Sequence, residues 1–151
     1  MRRGHLLLGL VLPLASIAAE SRVPSRIEII SDATHPVENG AVVQKQIGSG
    51  AFIRYFTIDA QARLDETLSK DLPADPEQAR AIALKRIQAL DRPGLARQLS
   101  ESFEGLLLAQ RYGIDRYPAV VFDEGKSVVY GVADLREAVR LYQQSTIKKR
   151  Q

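Results

Sequence analysis

The chain has no cysteine, no tryptophan, a single methionine and only two histidines in 151 residues. Each scarcity removes a class of chemistry. Without a thiol there is no disulfide, no thiol–disulfide exchange, no iron–sulfur cluster and no thiolate zinc site. With His5 and His35 as the only imidazoles, a histidine-based metal site within one chain has too few ligands. Long hydrophobic runs are also missing. The longest, Leu6 to Leu14, is broken by Gly9 and Pro13 and falls short of the ~20 apolar residues a membrane span requires. Phosphate-binding loops are absent too. Gly48-Ser49-Gly50 is not followed by the Lys-Ser/Thr pair of a P-loop, so it reads as a turn. The sequence therefore calls for no cofactor and no metal.

What is present begins with a leader. Arg2-Arg3, the apolar run and the small residues Ala15, Ser16, Ala18 and Ala19 have the pattern of a secretory signal peptide, here residues 1–19. The alternative is an uncleaved anchor, against which the shortness of the run argues. Removal of Arg2 and Arg3 leaves 19 Lys+Arg against 18 Asp+Glu, and only His35 remains of the imidazoles. A charge near +1 gives no reason to expect nucleic acid as a partner. The basic end, Lys148-Lys149-Arg150, reads as part of a frayed tail, residues 145–151. The stretch between, residues 20–144, suits one domain.

Within that domain, Arg26 to Ile30 alternates as a strand does. "AFIRYFTID", residues 51–59, reads as a second strand, and Val37, Val42, Val43 and Ile47 fit a short helix between the two. Asp59 is placed to cap a helix bearing Leu64 and Leu68. Asp75-Pro76-Glu77-Gln78 starts another, with Ile82, Ile87 and Leu90 expected on its buried side. A third has Leu95, Leu99, Phe103, Leu106 and Leu107 at helical spacing, expected to be core. Ala119 to Phe122 and Ser127 to Tyr130 form a hairpin about Asp123-Glu124-Gly125-Lys126, and Leu135, Val139 and Tyr142 mark a last helix. A parallel βαβ unit followed by ββα gives an α/β fold, a mixed four-stranded sheet with helices on both faces and an expanded helical insert. Tyr112 and Tyr117 read as packed rings with their hydroxyls at the surface.

That element order is thioredoxin-like, and "YGIDRYPAVVF" (residues 112–122) resembles the approach to the third strand in thioredoxin-like and Dsb-like proteins. "DLPADPEQARAIALKRIQAL" (residues 71–90, with Asp71 where a glycine would be expected) and "GLLLAQRYGIDRYPAVVFDEGKSVVYGVADLREAVRLY" (residues 105–142) resemble a narrower family. Its members are small exported proteins of unassigned function encoded on integrating conjugative elements of Gram-negative bacteria, similar in turn to TrbC-type pilus-assembly proteins. The resemblance spans about Ile27 to Tyr142. It implies a periplasmic location, a protein partner in a conjugative, type IV secretion-like apparatus, and a cis Tyr117-Pro118 bond beside the loop after the first strand.

In thioredoxin-like proteins that loop holds Cys-x-Pro-Cys. Here the resemblance lays Thr34-His35-Pro36-Val37 on it, and neither Thr34 nor Val37 can attack or resolve a disulfide. The scaffold is therefore expected without the redox activity, leaving a helix N-terminus with free backbone N–H groups beside a proline edge able to hold an extended peptide. The candidate partner-binding residues are Asp32, Thr34, His35, Pro36, Tyr117 and Pro118, and no catalytic residue is assigned. A second hypothesis, a periplasmic isomerase or hydrolase-like catalyst using Thr34, His35 and Pro36, lacks an evident triad. Sequence leaves the oligomeric state open.

Overall fold

A computed structural model describes residues 23–148. The expected signal segment and the last three residues of the basic tail lie outside the described residues. The chain forms β1 (Arg26–Ser31), α1 (Gly40–Ile47), a single 3₁₀ turn at Gly48–Gly50, β2 (Phe52–Thr57), α2 (Ala60–Ser69), α3 (Pro76–Gln88), α4 (Arg92–Tyr112), β3 (Ala119–Phe122), β4 (Ser127–Tyr130) and α5 (Leu135–Lys148).

The four strands make one mixed sheet in the order β2-β1-β3-β4. β1 runs parallel to β2 and antiparallel to β3, and β3 pairs antiparallel with β4. This is the four-stranded mixed sheet that the element order predicts. The chain needs a crossover to bring β2 parallel to β1, and α1 supplies it. Side chains alternate along β1, so its two faces feed two cores. Ile27 and Ile29 join Val43 of α1 and Leu135, Ala138, Val139 and Tyr142 of α5 on one face. Ile30 joins Phe56, Val121 and Ala109 of α4 on the other. Helices thus cover both faces. Phe122 is fully buried and stacks on Tyr142 with ring centroids 4.5 Å apart. Burying a side chain of this size contributes on the order of 2–3 kcal/mol.

The insert departs from expectation. Phe103, Leu106 and Leu107 are exposed, Leu107 by 67%, although their spacing had placed them in the core. The face of α4 turned to the sheet is instead Ser102, Gly105 and Ala109. The reason is proximity. A Cβ at Gly105 would stand 2.6 Å from Cβ of Phe56, so the helix lies too close to β2 for a large residue. Ile82 and Ile87 of α3 are likewise exposed and no residue of α3 is buried, because α3 packs chiefly against α2 alone. Its N-terminus is as expected, with the Asp75 carboxylate accepting from the Gln78 N–H at 2.9 Å.

Three smaller corrections follow. Asp59 stands at the N-cap of α2 but makes no side-chain cap bond, because its Oδ2 accepts from the Ala33 N–H at 3.2 Å instead. Residues 145–148 are not part of a disordered tail but continue α5, where the Ser145 and Thr146 hydroxyls donate to the Tyr142 carbonyl. The Tyr112 hydroxyl is not at the surface. It donates to the buried Glu28 carboxylate at 2.9 Å.

Candidate functional site

β1 ends at Ser31, and the chain turns at once about Asp32. The Asp32 Oδ1 accepts from the backbone N–H of Thr34 at 2.9 Å and of His35 at 2.8 Å. It also accepts the Thr34 hydroxyl at 2.6 Å. The His35 Nδ1 lies 2.9 Å from Oδ1 and 3.1 Å from Oδ2. Because a carboxylate only accepts, this contact places a ring proton on Nδ1. An aspartate that gathers the next N–H groups is a common way to close a turn. Here the Thr34 hydroxyl above all, with the His35 ring and the two N–H groups, outweighs the cost of partial burial and holds the Asp32 carboxyl at about 2.

The loop therefore does not offer the free N–H groups of a helix end, as the thioredoxin-like overlay had implied. Those of Thr34 and His35 are taken by Asp32. The Glu38 N–H donates to the Ala133 carbonyl at 2.8 Å, and the Leu135 N–H donates to the Glu38 carbonyl at 3.1 Å. Helix α1 begins only at Gly40, after Asn39 at φ 64°. The residues between had to leave the helical path because Glu38 bridges to Asp134.

The second wall comes from the other side of the sheet centre. The Tyr117-Pro118 bond is cis, as expected, and Pro118 is buried at the start of β3. Its carbonyl accepts from the Gly131 N–H at 2.9 Å. The N–H and carbonyl of Tyr117 have no hydrogen-bond partner among the described residues. Between the two walls lies an open cleft of about 480 Å³, lined by Asp32, His35, Asp115, Arg116, Tyr117, Tyr130 and Gly131.

Of the residues singled out from sequence, Asp32, His35 and Tyr117 meet across this cleft. Thr34 and Pro36 are exposed beside it, and Pro118 lies beneath it in the interior. Asp115, Arg116 and Tyr130 were missed. Arg116 holds Asp115 at 3.3 Å and lies over the Tyr130 ring, 5.1 Å from its centroid. The first two stand directly before Tyr117 in sequence, a signal that could have found them. Tyr130 reaches the site only because the hairpin register sets it opposite Ala119.

A second hollow of about 420 Å³ lies at the opposite pole of the sheet, lined by Ser25, Arg26, Phe52, Asp123, Glu124 and Lys126. All of its charged side chains but Lys126 are held in hydrogen bonds. Asp123 accepts from the Ser25 N–H and hydroxyl, and Arg26 pairs with Glu124 at 3.0 Å. The cleft beside Tyr117 brings Asp32, His35 and Tyr117, all singled out from the sequence, together beside unspent main-chain groups, and the second hollow holds none of them, so the former is the candidate site.

Among the described residues no helix is long and apolar enough to cross a membrane, and no group of three or more His, Asp or Glu is placed to hold a metal ion. No curated protein and no solved structure matches the chain significantly. One family profile does match, over residues 25–148, and by that match the chain belongs to the family described as proteins of unknown function, DUF1525.

Proposed function

We propose that the protein is a non-catalytic, exported binding component that receives a protein partner in the cleft between the Asp32–Pro36 loop and the Tyr117 edge. The observation that carries this is the pair of open backbone groups on Tyr117, set beside a half-buried tyrosine ring and an exposed imidazole. An extended segment docks on such an edge by main-chain hydrogen bonds, and neighbouring side chains give it selectivity. The resemblance to thioredoxin-like conjugative-element proteins supports a periplasmic, type IV secretion-like setting for that partner.

The catalytic reading is weaker on geometry. In a nucleophile relay the base takes the hydroxyl proton on one ring nitrogen and is oriented through the other. Here the Thr34 Oγ1 and the Asp32 carboxylate both meet the same nitrogen, Nδ1. The Thr34 hydroxyl donates to Asp32, and a carboxylate held at about 2 is a poor base for it.

A photo-crosslinking residue at position 35 of the tagged, exported protein tests the proposal in cells carrying out conjugation. A discrete adduct is expected from position 35. It should disappear with Arg116→Glu in the same chain and be absent when the probe is placed at Lys126 on the opposite pole. Equal labelling from positions 35 and 126 would overturn the assignment of the cleft.

A further inference from the structure

We infer that β2 pairs edge to edge with β2 of a second copy of this chain, antiparallel about Tyr55. Among the described residues β2 is an outer strand of the sheet, with β1 as its only neighbour. In a parallel pair alternate residues bond to the neighbour and the others face away. The Phe52 N–H donates to Ser25 and the Ile58 N–H to Ser31, so the even-numbered residues face β1. The N–H and carbonyl groups of Ile53, Tyr55 and Thr57 therefore point out of the sheet, and among the described residues none of them has a partner.

Outer strands are usually protected by proline, an unpaired lysine or a bulge. β2 has none of these. Its sequence, FIRYFT, contains one charge, and that charge is spent: both nitrogens of the Arg54 fork donate to Glu104, at 2.5 and 2.7 Å. Two aromatic side chains beside the edge are exposed, Phe52 by 61% and Tyr55 by 46%. β4, the other outer strand, is only four residues long and packs against α5.

The occupant follows from the pattern. The three outward residues are symmetric about Tyr55. An antiparallel copy can set Tyr55 opposite Tyr55, and Ile53 opposite Thr57 in both directions, so every outward donor and acceptor is met. On the side facing α1 this pairs two tyrosine rings, a favourable cross-strand combination. On the side facing α4 it places Arg54 opposite Phe56 of the second copy, repeating the contact that Arg54 already makes with its own Phe56, 4.7 Å from the ring centroid. A shift by one step loses this pairing, setting Arg54 against Arg54 in one direction and Phe56 against Phe56 in the other. An unrelated extended segment would meet the backbone groups equally well, but nothing in it would require the symmetry about Tyr55. A pairing one strand wide is smaller than a standard interface of about 1,600 Å², so a weak, concentration-dependent dimer is expected.

The test combines sedimentation equilibrium with amide hydrogen exchange on the exported chain across the micromolar range. The mass should rise toward two chains with concentration, and exchange at the Ile53, Tyr55 and Thr57 amides should slow at least tenfold between dilute and concentrated samples. Tyr55→Pro removes the central donor at a position where an outer strand tolerates proline. Thr57→Lys places a charge on the edge without touching the core. Both should remain monomeric, and Tyr55→Phe should dimerise as the parent does. A chain that is monomeric throughout, a dimer whose exchange at these three amides is unchanged, or a dimer that survives Thr57→Lys in a folded sample would each overturn the inference.

Discussion

Two aspartates sit at opposite poles of the sheet, each immediately after a strand. Asp32 follows β1 and Asp123 follows β3, and since these strands are antiparallel the two carboxylates are at opposite ends. Both gather several donors, but the donors come from different distances along the chain. Those of Asp32 are Thr34 and His35, at most three residues away. Those of Asp123 are Ser25, Arg26 and Tyr142, the first two nearly a hundred residues earlier and the last on α5. The same chemistry thus does two jobs. Local donors shape a surface loop and leave the rest of the molecule indifferent to it. Remote donors join the first strand, the hairpin and the last helix, so the carboxylate belongs to the global fold.

The most severe way to break this comparison is Asp123→Ala. Hydrogen bonds to a charged group contribute about 1.5–3 kcal/mol each and do not add fully, so a loss of about 3 kcal/mol is expected in urea unfolding. A loss no larger than that of Asp32→Ala would remove the distinction between the two carboxylates.

Acid titration is the next test, with an effect bounded by that first loss. Asp32 and Asp123 both have folded-state carboxyl pKa values below the ordinary range near 4. For Asp123, burial pushes upward and is outweighed by its bonds to Tyr142, Ser25 and Arg26. A depressed pKa means that the unfolded chain takes up protons first. The stabilisation is therefore present in full above about pH 5 and declines as pH falls through the unfolded value near 4 and the folded values, toward about 2 for Asp32. The urea midpoint of the parent should drop between pH 5 and pH 2.5, and that of Asp123→Ala should drop less. Equal slopes would contradict the role given to Asp123.

The smallest effect is Asp32→Ala, about 1 kcal/mol or less in stability, because its bonds are local and partly solvated. Its consequence should appear in the cleft. The crosslink from position 35 should fall sharply, and Asp32→Asn, which keeps an oxygen for the two N–H groups, should restore most of it. A stability loss as large as that of Asp123→Ala would make the loop a structural element of the whole domain.

The sequence made the sheet legible because its strands announce themselves. "IEII", "AVVF" and "SVVY" are short β-branched runs between turn residues. It concealed the inner face of α4 for an equally physical reason. Hydrophobic periodicity detects large side chains, and Ser102, Gly105 and Ala109 are selected for being small. The site was half legible. Asp32, His35 and Tyr117 stood out through the resemblance of their loop and of the Tyr-Pro approach to β3 to a thioredoxin-like arrangement. Tyr130 did not, because its place depends on the pairing register across the hairpin, which the hydrophobic pattern does not state.

The loop that forms one wall of the cleft is fastened at both of its ends. At its entry the Ala33 N–H is held by Asp59, which begins α2. At its exit Glu38 exchanges backbone bonds with Ala133 and Leu135, where α5 begins. Mechanically this is a beam fixed at two supports, not a flap on one hinge. Swinging it outward would require breaking both attachments together, so the notch keeps its width whether or not anything lies in it. A visitor must fit the opening as it stands, and a pull on the loop would be shared between the two helices.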